Sequence, residues 1–90
     1  MSVTVSVPTI LRTHTSGEKS VQASGATVAE VIEDLESRHS GIKSRLVKDG
    51  SLHRFINVYL NDEDVRFVGG LDATVHDGDN VTILLAVAGG

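Results

Sequence analysis

Ninety residues with no cysteine and a net charge of −4, from eight Lys and Arg against twelve Asp and Glu, describe one small acidic domain. The missing cysteine excludes disulfides, thiol catalysis and cysteine-held zinc or iron–sulfur sites. The acid excess and the scarcity of aromatic rings argue against a nucleic-acid partner, which needs basic residues to displace counterions and rings to stack on bases.

The chain begins with an unbroken alternation, Ser2-Val3-Thr4-Val5-Ser6-Val7, which predicts a half-buried strand with Val3, Val5 and Val7 inward and Pro8 at its end. Thr13 to Gly17 reads as a turn region, and Glu18 to Ala23 as a second strand closing a hairpin. After Ser24-Gly25, Thr27-Val28-Ala29-Glu30 has the form of a capping box. Val28, Val31, Ile32 and Leu35 then share one face of a helix running to about Arg38, with Gly41 as its stop and Ile42 and Leu46 in a short second turn.

Lys48-Asp49-Gly50-Ser51 reads as a loop. Phe55 to Leu60 alternates again, Ile56, Val58 and Leu60 on one side and Phe55, Asn57 and Tyr59 on the other. Asn61 to Asp64 forms a polar turn into a short strand near Val65 to Phe67, which Gly69-Gly70 ends. His76-Asp77-Gly78-Asp79 is a further turn with Gly78 at positive φ. The last strand runs from Asn80 to Leu85, with Val81, Ile83 and Leu85 facing one way and Thr82 and Leu84 the other.

One helix is available to cover one face of a mixed sheet of about five strands, with the first and last strands parallel at its centre. That is the β-grasp, or ubiquitin-like, architecture of the α+β class, expected over residues 1–85, with residues 86–90 as a flexible Gly-Gly tail. No basic segment precedes an apolar run at the N-terminus, and no stretch is long enough to span a bilayer, so a cytoplasmic protein is expected.

Ala86-Val87-Ala88-Gly89-Gly90 carries no charged side chain and no ring, and extended it would reach roughly 17 Å. A slim segment of this kind can thread the narrow channel of an enzyme that modifies its terminal carboxylate. Without a Cβ, Gly89 and Gly90 pass a constriction, and the Gly90 carbonyl carbon is unhindered toward a nucleophile. A carboxylate is a poor electrophile. Attack of its oxygen on the α-phosphate of ATP gives an acyl-adenylate, a far better one, with the ATP site and metal supplied by the partner.

The stretch NDEDVRFVGGLDATVHDGDNVTILLAVAGG, Asn61 to Gly90, resembles the C-terminal half of the MoaD/ThiS family of ubiquitin-like sulfur carriers. SVTVSVPTILRTHTSGEKSVQASG and LHRFINVYLNDEDVRF resemble, more narrowly, the CysO group of carriers that serve cysteine biosynthesis in actinobacteria. The resemblance implies no bound cofactor and no intrinsic catalysis. It implies that an E1-like enzyme adenylates Gly90, that a sulfur donor converts it to a thiocarboxylate, and that the sulfide passes to a biosynthetic enzyme. In the CysO group the acceptor is an activated serine on a cysteine synthase, and a metal-dependent protease releases the product. One departure stands out: many members have proline before the tail, where this chain has Leu85, which restores a backbone N–H and adds an apolar side chain at the tail's exit.

Phe55, Tyr59 and Leu84 are expected to form one exposed apolar patch bordered by Phe67, and together with Leu85 to dock a partner that grips the tail; the plain alternative is scattered surface apolar residues. His14, His39, His53 and His76 lie on separate segments, so no metal site is expected. Asp77 and Asp79 have calcium-loop spacing without the remaining ligands. Three alternatives to cysteine synthesis stay open: sulfur donation to another metabolite (molybdopterin or a secondary metabolite), a modifier joined to protein lysines, and a binding subunit that never uses its terminus.

Overall fold

A computed structural model describes residues 2–85. Its strands are β1 (Ser2–Ser6), β2 (Ser20–Ser24), β3 (Val47–Lys48), β4 (Ser51–Leu52), β5 (Ile56–Leu60), β6 (Glu63–Asp64) and β7 (Asn80–Leu85), and its α-helices are α1 (Val28–Arg38) and α2 (Lys43–Leu46). Five strands form one sheet in the order β2-β1-β7-β5-β6, and β3 and β4 form a small separate hairpin. The first and last strands are parallel neighbours, Val5 opposite Val81, as the β-grasp arrangement requires.

The period-two alternation sorts the sheet into two faces. On the inner face Val21, Val5, Val81 and Leu60 lie in one row across the strands, and Val58 and Ile83 in the next. Val28, Val31, Ile32 and Leu35 of α1 are buried in the same core cluster as Val3, Val5, Val81 and Ile83. The outer face is polar over β1 and β2, with Ser2 opposite Ser24, Thr4 opposite Gln22 and Ser6 opposite Ser20. The helix starts as its sequence dictates: the Thr27 hydroxyl accepts from the Glu30 amide at 3.2 Å. The Glu30 carboxylate reaches back to the Ala26 amide at 2.9 Å, one residue further than an ordinary capping box.

Five local expectations change. The segment read as a turn from Thr13 is part of a 3-10 helix, Thr9–Thr15, that buries Leu11 and Thr15. The Thr15 hydroxyl donates to the Glu18 carbonyl at 3.0 Å, so burying it leaves no polar group unmet. The second strand is displaced accordingly, to Ser20–Ser24 instead of Glu18 to Ala23. Lys48 to Ser51 is the tip of the β3–β4 hairpin, not a free loop. Val65 to Phe67 is a 3-10 turn, because the Asp64 carboxylate accepts from the Arg66 amide at 2.9 Å and bends the chain; the short strand lies before it, at β6. Phe55 falls in the turn that precedes β5 and not in the strand itself.

Candidate functional site

Strand β7 carries the last described residues. Val81 and Ile83 are anchored in the core, and pairing with β5 carries through to Leu85 opposite Ile56. Leu85 has the inner-face parity expected of it, yet it is 38% exposed, whereas Ile56 opposite it is buried. Ala86, Val87, Ala88, Gly89 and Gly90 lie outside the described residues.

The five expected docking residues lie on the last two long strands and the turns beside them. Asn57 pairs with Leu84 and Tyr59 with Thr82, so Tyr59 and Leu84 are diagonal neighbours on the outer face of the sheet. Leu84 is exposed and Tyr59 half-buried there. Phe55 and Leu85 instead line a separate groove of ≈ 310 Å³ at the end of the sheet, together with Ile10, His14, Arg45 and His53. Phe67 is 84% exposed on the 3-10 turn after β6.

Beside Leu85, three further segments assemble the groove. The 3-10 helix brings Ile10 and His14 to it, α2 brings Arg45, and the turn before β5 brings His53 and Phe55. His14 packs on Gly41, whose φ of +93° favours glycine; a Cβ there would lie 3.2 Å from the His14 ring. The Phe55 ring is flanked by His53, with ring centroids 5.6 Å apart, and by the Arg54 guanidinium, 5.6 Å from its centroid. Arg45 and Arg54 form no ion pair among the described residues. The carboxylate facing His14 is that of Glu36, already engaged by the Gly41 and Lys43 amides at 3.0 and 2.9 Å. Those amides, Gly41 first, hold its pKa below the ordinary value.

The other end of β7 is built differently. Asn61, at φ 49°, donates from its side-chain amide to Asp79 and accepts from the Asn80 amide, both at 2.9 Å. Asp79 also accepts from the His76 amide at 2.8 Å. The Asn61 side chain and then the His76 amide lower the Asp79 pKa. Gly78 takes the positive φ expected of it, +87°.

Sequence reasoning missed Ile10, His14, Arg45 and His53 as members of a shared surface. The segment around His14 is rich enough in Thr and Ser to pass for a plain turn, and no single local pattern links residues that arrive from separate elements. Among the described residues no cluster of three His, Asp or Glu is arranged to hold a metal ion, and no helix is long and apolar enough to cross a membrane.

Comparison with known proteins adds what the tail alone leaves open. The ThiS family model matches residues 5–90. The sulfur carrier protein CysO of Mycobacterium tuberculosis is 63% identical over 93 residues, covering 100% of both chains. A CysO chain in the crystal structure of the Amycolatopsis orientalis BexX/CysO complex superposes with a TM-score of 0.94 at 76% identity, covering 98% of this chain and 99% of that one. Small archaeal modifier protein 3 of Haloferax volcanii is 37% identical over 65 residues, 72% of this chain and 71% of its own. A β-grasp body, a last strand that delivers the chain to the edge of the core, and similarity along the whole sequence place the chain in the ThiS family.

Proposed function

We infer that the chain is a sulfur carrier, a protein co-substrate that supplies its own terminus to partner enzymes and does no catalysis itself. The observation that carries this reading is end-to-end identity of 63% with a sulfur carrier, with no insertion large enough to build a second function. The reactive group is the carboxylate of Gly90. Its oxygen attacks the α-phosphate of ATP on an E1-like enzyme and pyrophosphate leaves. Sulfide from a donor then attacks the acyl carbon and AMP leaves, so one carboxylate oxygen has been exchanged for sulfur. Gly89 admits the terminus to the partner's narrow site, and Ala86, Val87 and Ala88 span the distance from Leu85.

Docking is divided between two surfaces: Tyr59 and Leu84 on the open sheet face, and Phe55 and Leu85 at the groove beside the exit, with Phe67 at the periphery. The resemblance to the CysO group favours cysteine synthesis as the destination of the sulfur, with an activated serine on a cysteine synthase as acceptor and a metal-dependent protease releasing the product. The compartment that fits these partners is the cytoplasm.

Incubation with an E1-like enzyme, ATP and a sulfur source is expected to add the mass of one oxygen-to-sulfur exchange, located at Gly90 by fragmentation. No gain under conditions that load a control carrier rejects the reading. A second reading, joining to lysines of other proteins, is favoured by the similarity to an archaeal modifier protein and begins from the same adenylate. Lysine-linked adducts recovered from cells would establish it.

A further inference from the structure

Charge is distributed unevenly along β7. Beside its first residue stand Asp62, Glu63 and Asp64, on the turn 61–62 and β6, and Asp77 and Asp79, on the turn 76–79. Beside its last described residue the groove presents Arg45, His14 and His53, and among the described residues no carboxylate lines it. Arg54 stands over Phe55 at the same place. On a chain of net charge −4 this is a concentrated basic spot. It is also where apolar side chains are left uncovered: Ile10 is 64%, Phe55 46% and Leu85 38% exposed. Such residues cost free energy in water that a covering partner recovers.

We propose that this groove docks an acidic segment of the sulfur-accepting partner protein, one that places an apolar side chain against Ile10, Phe55 and Leu85 and a carboxylate against Arg45. The proposal rests on the carrier reading, since a partner that takes the tail must pass the groove where Leu85 leaves the sheet. Charge complementarity decides the chemistry of the occupant. Arg45 has no ion pair among the described residues, and the one carboxylate near His14, that of Glu36, is committed to backbone amides. A guanidinium and imidazoles beside an uncovered apolar strip match an aliphatic or aromatic residue flanked by Asp or Glu. A second copy of this acidic chain would instead bring two like-charged grooves together.

The test titrates the full chain into BexX of Amycolatopsis orientalis, the protein complexed with the 76% identical carrier. Arg45→Glu is expected to weaken binding about tenfold or more, and Ile10→Ser several-fold. Gln22→Glu, an added negative charge on exposed β2 opposite Thr4 and so level with the first residue of β7, is expected to stay within about twofold of wild type, because a remote surface charge is screened. Thermal unfolding verifies that each variant is folded. Raising salt is expected to weaken the wild type more steeply than Arg45→Ala. The proposal is overturned if Arg45→Glu binds no more weakly than Gln22→Glu, if Ile10→Ser matches wild type, or if the wild type does not bind. Mass-detected loading by an E1-like enzyme is measured in parallel. Wild type that never loads sinks the carrier reading, whereas normal loading with unchanged affinity of the variants sinks the groove alone.

Discussion

At its N-terminal end β7 is tied down by polar groups: Asn61 to Asp79 and Asn80, Asp79 to His76, and the Ser2 amide to Asp77 at 2.9 Å. Four and five residues after Asn80, at Leu84 and Leu85, the same strand borders uncovered apolar side chains and cations without ion pairs among the described residues. The first end satisfies its own hydrogen bonds and asks nothing of a partner. The second leaves apolar surface and charge to be satisfied from outside. A carrier needs both, since the terminus is useful only if the body behind it stays folded while the terminus is being handled. Substitutions at the two ends should therefore separate, one set moving stability and the other moving function.

The largest separation is expected at the tail. Deleting Gly90 should abolish thiocarboxylate loading outright while leaving the urea midpoint unchanged, because the core of β7 ends at Ile83. A midpoint that falls with the deletion would mean that the terminus contributes to the fold. Next, Asn61→Ala removes two side-chain hydrogen bonds and places alanine at φ 49°. A loss of about 2 kcal/mol is expected in urea unfolding. Loading at a temperature where the variant is folded should match wild type. Slower loading of the folded variant would show that the anchored end communicates with the tail.

At the contact end the signs reverse. Leu84→Ser acts on the open sheet face, where the side chain is 46% exposed, so stability should stay within about 0.5 kcal/mol. Affinity for a partner that covers this face is expected to fall about tenfold, read as a rise in Kd by calorimetry. Equal affinity would confine docking to the groove side of the strand.

How much of this was legible in the sequence follows from the range over which each pattern acts. Val3, Val5, Val81 and Ile83 declared their faces because strand periodicity is local, and Thr27 with Glu30 declared the helix start for the same reason. The 3-10 helix at Thr9–Thr15 was hidden because its burial depends on Leu11 meeting a core assembled from distant segments. Val65 and Phe67 looked like strand alternation, but the Asp64 side chain competes for the Arg66 amide and turns the chain. The groove was hidden for a related reason. Leu84 and Tyr59 share a strand pair, whereas Phe55 precedes the strand and follows the turn to the groove, where Ile10, His14 and Arg45 arrive from elements far away in sequence.

The smallest effect tests whether the anchored end works through charge. Asp79 accepts from Asn61 and from the His76 amide, and both hold its folded-state pKa below the ordinary value of 3.8. A carboxyl depressed on folding stabilises the native state above its unfolded pKa, and that contribution is lost as pH falls through the folded value. Asp79→Asn keeps one acceptor oxygen and loses the charge, so at pH 7 it should cost about 1 kcal/mol. As pH drops below the ordinary carboxylate range the wild type loses its advantage while the variant has none to lose, so their urea midpoints should converge. Glu36 is depressed in the same direction but is present in both proteins and cancels in the difference. A gap between the midpoints that persists unchanged into acid would assign the cost of the substitution to hydrogen-bond geometry and remove charge from the account of how β7 is anchored.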